Sequence, residues 1–307
     1  TLALAEEYMR FIALGSLFQV LGTGLSPFIR NMGGTVTAMS AMIAGFVTNI
    51  VLDYLFVWVL PWGMTGAAVA TVIGQAATFC VCLGYLVVKK QKPDFRFGGR
   101  AFRFAGKTLL LGLSPFGLAF SPNFMLIFVN FSASAVGGQF ALNCFAPVSY
   151  AISVVLLLLQ GVSDGCQPLV SREFGSGSAR GARSVRNLAF AFALVVAAVC
   201  MAVMFAVRRD ISKVFGASDE VAAEVGNILP LFIAGFLFVG FSRIATAYFY
   251  ATGNTWRAYI VIYGEPLWLL VLLLILPNFM GITGTRQSVP LSQPTQARHA
   301  YQFDIQY

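Results

Sequence analysis

At 307 residues the chain is long enough for two soluble domains, yet only 10% of its residues are charged, against about 25% in a globular protein, and 58% are hydrophobic. A mean hydropathy of +0.79 excludes a water-soluble fold and points to lipid as the solvent. The net charge of +8 is no nucleic-acid footprint here, because the basic residues gather in alternate loops between apolar runs.

A helix needs about 20 apolar residues to cross roughly 30 Å of hydrocarbon. By that ruler the chain is all-α and polytopic, with eight spans near 9–29, 36–60, 64–88, 106–131, 139–170, 187–207, 227–251 and 256–277. The fifth exceeds one crossing and is expected to tilt or to extend beyond the bilayer. Continuous rather than alternating apolar runs argue against a β-barrel. Residues 1–9 carry acids and lead to no cleavage pattern, so the first span is not read as a signal peptide.

One set of alternate loops holds Arg30, the basic cluster from Lys89 to Lys107, Arg172, Arg180, Arg183, Arg186 and Arg257. That set is placed on the cytoplasmic side, which makes the chain a multi-pass protein of the cell membrane, most naturally a bacterial one. Residues 93–107 interleave phenylalanines with bases and read either as a surface helix on anionic headgroups or as a solvated linker. The five cysteines lie inside apolar segments with no metal or redox spacing and are assigned to helix packing. No metal site and no cofactor are expected.

Two stretches about 220 residues apart share a pattern. Arg30-Asn31-Met32-Gly33-Gly34 followed by Ala38 aligns with Ala251-Thr252-Gly253-Asn254 followed by Ala258, each between two spans on the cytoplasmic side. Pro61-Trp62-Gly63-Met64-Thr65-Gly66 aligns with Gly281-Ile282-Thr283-Gly284 at an external turn. Such weak internal similarity is typical of transporters with duplicated halves, here inserted in parallel about an axis along the membrane normal.

On these residues the chain resembles the multidrug and toxic compound extrusion (MATE) transporters. Gly161-Val162-Ser163-Asp164-Gly165-Cys166-Gln167-Pro168-Leu169 with Phe174-Gly175-Ser176-Gly177 looks like one signature of that family. Asn49-Ile50-Val51-Leu52-Asp53 with Gly66-Ala67-Ala68-Val69-Ala70-Thr71 looks like another. The resemblance runs from about residue 10 to 284. It implies a two-lobe, twelve-helix fold of which these eight spans are the fourth to the eleventh, so that the chain is a fragment lacking the first three helices and the last. Residues 1–90 would then belong to the N-terminal lobe, 91–106 to a cytoplasmic inter-lobe linker, and 107–284 to the C-terminal lobe. Residues 285–307, polar where the repeat expects an Ala-rich span, read as a non-native or frame-shifted tail.

An ionisable residue deep in a span costs roughly 2.5–3.5 kcal/mol, so each needs a reason. Asp53 follows Asn49 by one turn on the same helical face, and the next span offers Thr71, Gln75 and Thr78 at helical spacing. Carboxylate, amide oxygen and hydroxyl together can ligate Na⁺, or the carboxylate can carry a proton; a buried structural hydrogen-bond cluster is the alternative. The resemblance implies that Asn49, Asp53 and Thr71 belong to the cation site of the N-terminal lobe. It also implies that a further acid of that site lies on a helix this chain lacks. The family often has Pro after this Asp; Tyr54 stands there and predicts a straighter helix. Glu265, next to Pro266, reads as a second proton carrier, a counter-charge for cationic substrates, or the partner of Arg243 in a structural ion pair. Asn123 and Gln160 are cavity candidates, Gln160 also reading as a helix–helix contact. Asp164, within about two turns of Arg172, reads as a helix-end cap or cytoplasmic gate.

There is no Walker-type phosphate loop and no His within the apolar spans, so no enzymatic reading can be built. The resemblance therefore implies a monomeric secondary antiporter that exports hydrophobic or cationic drugs and toxic compounds in exchange for H⁺ or Na⁺. Its partners would be small lipophilic cations and membrane lipids, not nucleic acid; abundant Phe and Met suit such substrates through cation–π contact and repacking. A lipid or oligosaccharide flippase of the same superfamily and a non-transporting remnant are the competing readings.

Overall fold

The computed structural model describes residues 2–91, 99–213 and 216–305, all of it helix and turn among those residues. The chain divides into two compact units, residues 1–96 and 97–307. Residues 92–98 of the expected linker lie outside the described residues, and with them residues 93–98 of the expected surface helix; residues 99–107 open the fourth helix.

The first unit holds α1 (Leu2–Asn31), α2 (Thr35–Asp53), a π-helical continuation of α2 (Tyr54–Val59) and α3 (Gly63–Val88). The helix that Tyr54 was expected to keep straight continues, but widened from Tyr54 onward into the π form, a local feature frequent at functional sites. α3 packs on both neighbours because small residues face them. A Cβ at Gly74 would lie 2.7 Å from the Gly45 carbonyl oxygen and 2.9 Å from the Asn49 Cβ, so the α2 and α3 backbones nearly touch there.

The second unit holds α4 (Gly99–Gly175), α5 (Ala179–Val207), α6 (Asp219–Ile233), α7 (Phe236–Ala251), α8 (Thr255–Met280) and α9 (Ile282–Ile305). The 77 residues of α4 are two spans joined at Gly138, whose φ of 59° and ψ of −154° lie outside any helix. The apolar run read as one span over 227–251 is α6 and α7, bent by 43° at their junction. With these two adjustments the eight apolar runs are the eight expected spans. Their outward residues, Leu14, Trp58, Phe131, Leu188 and Phe279 among them, are exposed large hydrophobics, as lipid requires. The core of the second unit is built around Phe145, Leu159, Leu229, Phe232 and Phe236, with Phe145 and Phe232 edge to face at 6.1 Å.

The internal repeat has a backbone counterpart. Gly33 and Gly253 end α1 and α7 at φ of 84° and 79°, and the residue after each donates its N–H back into the helix, Gly34 to Ile29 and Asn254 to Phe249. Only glycine reaches that left-handed cap without strain. At the turns that precede α3 and α9, Gly63 and Gly281 share φ of 57°.

Of residues 285–307, read from the sequence as a non-native or frame-shifted polar tail, the described part belongs to a helix, α9, packed on α7 and α8. It is not among the helices apolar enough to count as a span. It packs because Gly284, Ser288 and Ser292 recur at helical spacing on a buried face, and the two serines return their hydroxyls to their own helix, to the Gly284 and Val289 carbonyls. Two further polar side chains of α9 meet partners on other helices: Thr285 with Ser132 at 3.0 Å, and Arg286 with Glu224 of α6 at 2.6 Å. His299 lies on α9, and its side chain is outside the described residues.

Candidate functional site

In the first unit a groove of about 320 Å³ opens between α1, α2 and α3. Asn49 and Thr71 face each other across it, Asn49 Nδ2 donating to Thr71 Oγ1 at 3.4 Å, while Thr71 donates to the Ala67 carbonyl at 2.9 Å. This arrangement leaves the Asn49 side-chain oxygen and a lone pair on Thr71 Oγ1 available. Gln75, one turn beyond Thr71, lines the same groove with its Oε1 buried and without a partner among the described residues. Thr78 lines it too and donates to the Gly74 carbonyl at 3.3 Å. Asp53 stands one turn beyond Asn49, half-buried at the start of the π segment. It is bonded to neither Asn49 nor Thr71, and its Oδ1 is buried with no partner among the described residues. The structure thus brings Asn49, Thr71, Gln75 and Thr78 to one groove and sets Asp53 just beyond it.

Arg30 also lines this groove, which the sequence reading missed by treating it only as a charge that fixes topology. It sits in the last turn of α1, with Ser26 one turn earlier on the same face.

In the second unit a cavity of about 170 Å³ is lined by Asn123, Ser242, Arg243, Glu265 and Gln293 together with apolar side chains of α4 and α7. Arg243 bridges α7 to α4: its Nη1 donates to the Leu118 carbonyl at 3.3 Å and to Gln160 Oε1 at 2.8 Å. Gln160 Nε2 in turn donates to Asp164 Oδ1 at 2.8 Å. Ser163 donates to the backbone carbonyl of Arg243 at 3.2 Å, a second tie between the same helices. The charges of Glu265 and Asp164 both act on the Arg243 guanidinium, so three ionisable residues remote in sequence form one buried network. Asp164, read as a helix-end cap or cytoplasmic gate, is linked to Arg243 through Gln160. Asn123 donates to the Ala119 carbonyl of its own helix at 3.1 Å and lines the cavity.

Gln293 and Ser242 were not foreseen. Gln293 is 5% exposed, its Oε1 has no partner among the described residues, and it fills the space where Gly235 lacks a side chain, at the break between α6 and α7. Extending the repeat beyond Gly284 would have found it, because Gln293 follows Gly281 as Gln75 follows Gly63.

Three comparisons bear on this arrangement. The pattern of the MatE family matches residues 1–55 and 118–273. The multidrug export protein MepA of Staphylococcus saprophyticus subsp. saprophyticus is 23% identical over 300 residues, 95% of this chain and 65% of its own length. MepA of Staphylococcus haemolyticus is 24% identical, with the same coverage. The chain therefore spans about 65% of the length of the curated relatives it matches. Among solved structures, an outward-facing multidrug resistance MATE family transporter of the MOP superfamily superposes with a TM-score of 0.88 at 19% identity, covering 97% of this chain and 68% of that one. A MOP superfamily transporter from Pyrococcus furiosus Vc1, described as having a binding pocket of reversed polarity that suggests a different function, gives the same TM-score, identity and coverage. At that identity the solved structures establish the fold alone.

Proposed function

The chain belongs to the MatE family, and from that premise we propose that it works as a secondary exporter in which H⁺ or Na⁺ bound at Asp53 is exchanged for lipophilic, often cationic, small molecules. The relatives' description as multidrug export proteins supports the direction and the substrate class. The observation that carries the reading is the Asp53 Oδ1, buried without a partner among the described residues, one turn from the Asn49–Thr71 pair. A carboxylate oxygen held there is costly unless it takes up a proton or a metal cation.

The donor set fits either ion. Asp53, the free Asn49 oxygen and Thr71 Oγ1 are hard oxygen ligands of the kind Na⁺ takes, and the carboxylate alone suffices for H⁺. Binding neutralises Asp53 and draws the π segment and α2 toward α3. Because those helices meet backbone to backbone at Gly45 and Gly74, a small shift there moves α2 as a body. Release of the cation to the cytoplasm restores the charge and lets the unit return. In the second unit the Arg243 network holds Glu265 beside the cavity, where it serves as a counter-charge for a cationic substrate. No cofactor and no covalent step enter this cycle.

The test is Asp53→Asn, measured as gradient-driven dye efflux in vesicles carrying the protein. Efflux falls to the level of empty vesicles while the amount of protein in the membrane is unchanged. Wild-type efflux in the variant overturns the assignment.

A further inference from the structure

We propose that the groove of the first unit binds the anionic group, a carboxylate, of an amphiphilic solute on Arg30 and Ser26; this rests on the reading of the groove as part of an export path. The Arg30 Nε is buried and has no acceptor among the described residues. A guanidinium N–H kept from water without an acceptor is costly, and its best partner is an oxyanion, to which it makes short charge-assisted bonds. The hydroxyl that would share the work is in place. Ser26, one turn earlier on the same face of α1, is 4% exposed, and among the described residues its Oγ meets only the Met42 sulfur, at 4.0 Å, a weak acceptor.

The surroundings favour a negative group over a positive one. The polar side chains lining the groove besides Arg30 and Ser26 are Thr23, Asn49, Thr71, Gln75 and Thr78, all neutral, so the one charge among the described lining residues is positive. Met42 and Phe46 supply apolar wall for the body of the solute. The negative end of the α1 dipole opposes an anion at this end of the helix, but its last carbonyls are already occupied: Phe28, Ile29 and Arg30 accept from the N–H groups of Met32, Gly34 and Gly33. Asp53 does not compete for Arg30. It ends α2, about 27 Å along the helix from Thr35 at the α1–α2 turn. The groove so built is selective for an anion-bearing solute at one end and is kept apart from the cation site at the other.

The test uses two dyes that differ only at this group: rhodamine 110, with a free carboxylate, and rhodamine 123, its methyl ester. Affinities are read by fluorescence polarisation on the purified protein in dodecyl maltoside, which has no anionic headgroup. The wild type binds rhodamine 110 about tenfold more tightly than the ester, the order expected for one charge-assisted bond. In Arg30→Gln the ratio falls to about one, and in Arg30→Lys most of it survives. Equal affinities in the wild type, or a preference that persists in Arg30→Gln, overturn the proposal. With phosphatidylglycerol added, an unaltered preference supports a dissolved solute; its loss assigns Arg30 to a lipid phosphate and overturns the proposal. The export reading fails separately, when Asp53→Asn leaves efflux intact whatever the dye ratio shows.

Discussion

Gln75 and Gln293 occupy matched places in the two units: each lies at the same remove from a left-handed glycine, Gly63 or Gly281, and each holds a buried side-chain oxygen with no partner among the described residues. Both residues line a cavity of their own unit. An unsatisfied buried acceptor costs roughly 1–3 kcal/mol, and a leucine of similar volume removes that cost. Gln75→Leu and Gln293→Leu are therefore expected to hold or raise the thermal midpoint of the purified protein while lowering dye efflux. A lower midpoint in both would mean that the amides are structural.

The approach of α2 to α3 sets the position of Asn49 against Thr71. A Cβ at Gly45 would collide with Thr78 Oγ1 and lie 2.6 Å from the Gly74 carbonyl oxygen, whereas one at Gly24 meets nothing within 4 Å. Gly45→Ala is expected to destabilise by about 1–3 kcal/mol through overpacking and to impair efflux; Gly24→Ala should do neither. Thermal unfolding in detergent and vesicle transport check both.

Arg243 is the hub of the second unit, tied to Leu118 and Gln160 and acted on by Glu265 and Asp164. Removing one partner from a buried charge network costs about 3–5 kcal/mol, because it leaves the others uncompensated. Arg243→Met should lose about that much stability in chemical unfolding. Adding Glu265→Gln should restore part of it, since the second change removes the stranded carboxylate.

Arg286 and Glu224 fasten α9 to α6, their side chains 20% and 29% exposed. Glu224→Gln is expected to lower stability by about 1–2 kcal/mol, between the values for exposed and buried pairs. It should also speed hydrogen exchange at the start of α9 relative to α4. The paired change Glu224→Leu with Arg286→Met should cost less than either single change.

Much of this architecture is legible in the residues. Apolar runs longer than a bilayer crossing reveal the spans wherever side chains face lipid, and the aligned glycines at 33 and 253 mark the turns because no other residue takes that backbone cheaply. The bend between α6 and α7 is not marked by hydropathy, which is continuous across Ala234 and Gly235, and Gln293, which packs against the break, comes from a distant helix. α9 is missed for the same reason: its polarity is offset only by partners on α4 and α6 that no local pattern reveals. At the site, Asn49 and Thr71 are legible because each lies on the polar face of its own helix. The link from Arg243 through Gln160 to Asp164 joins α7 to α4 and exists only in three dimensions.

Stoichiometric cation release on ligand binding tests Asp53 as the exchange point most directly. Rhodamine 123 is added to the purified protein in weakly buffered solution, with a pH dye and a sodium electrode recording together. Wild-type protein should release close to one cation, H⁺ or Na⁺, for each dye bound, and Asp53→Asn should bind dye and release none. Equal release from the variant and the wild type would contradict the account.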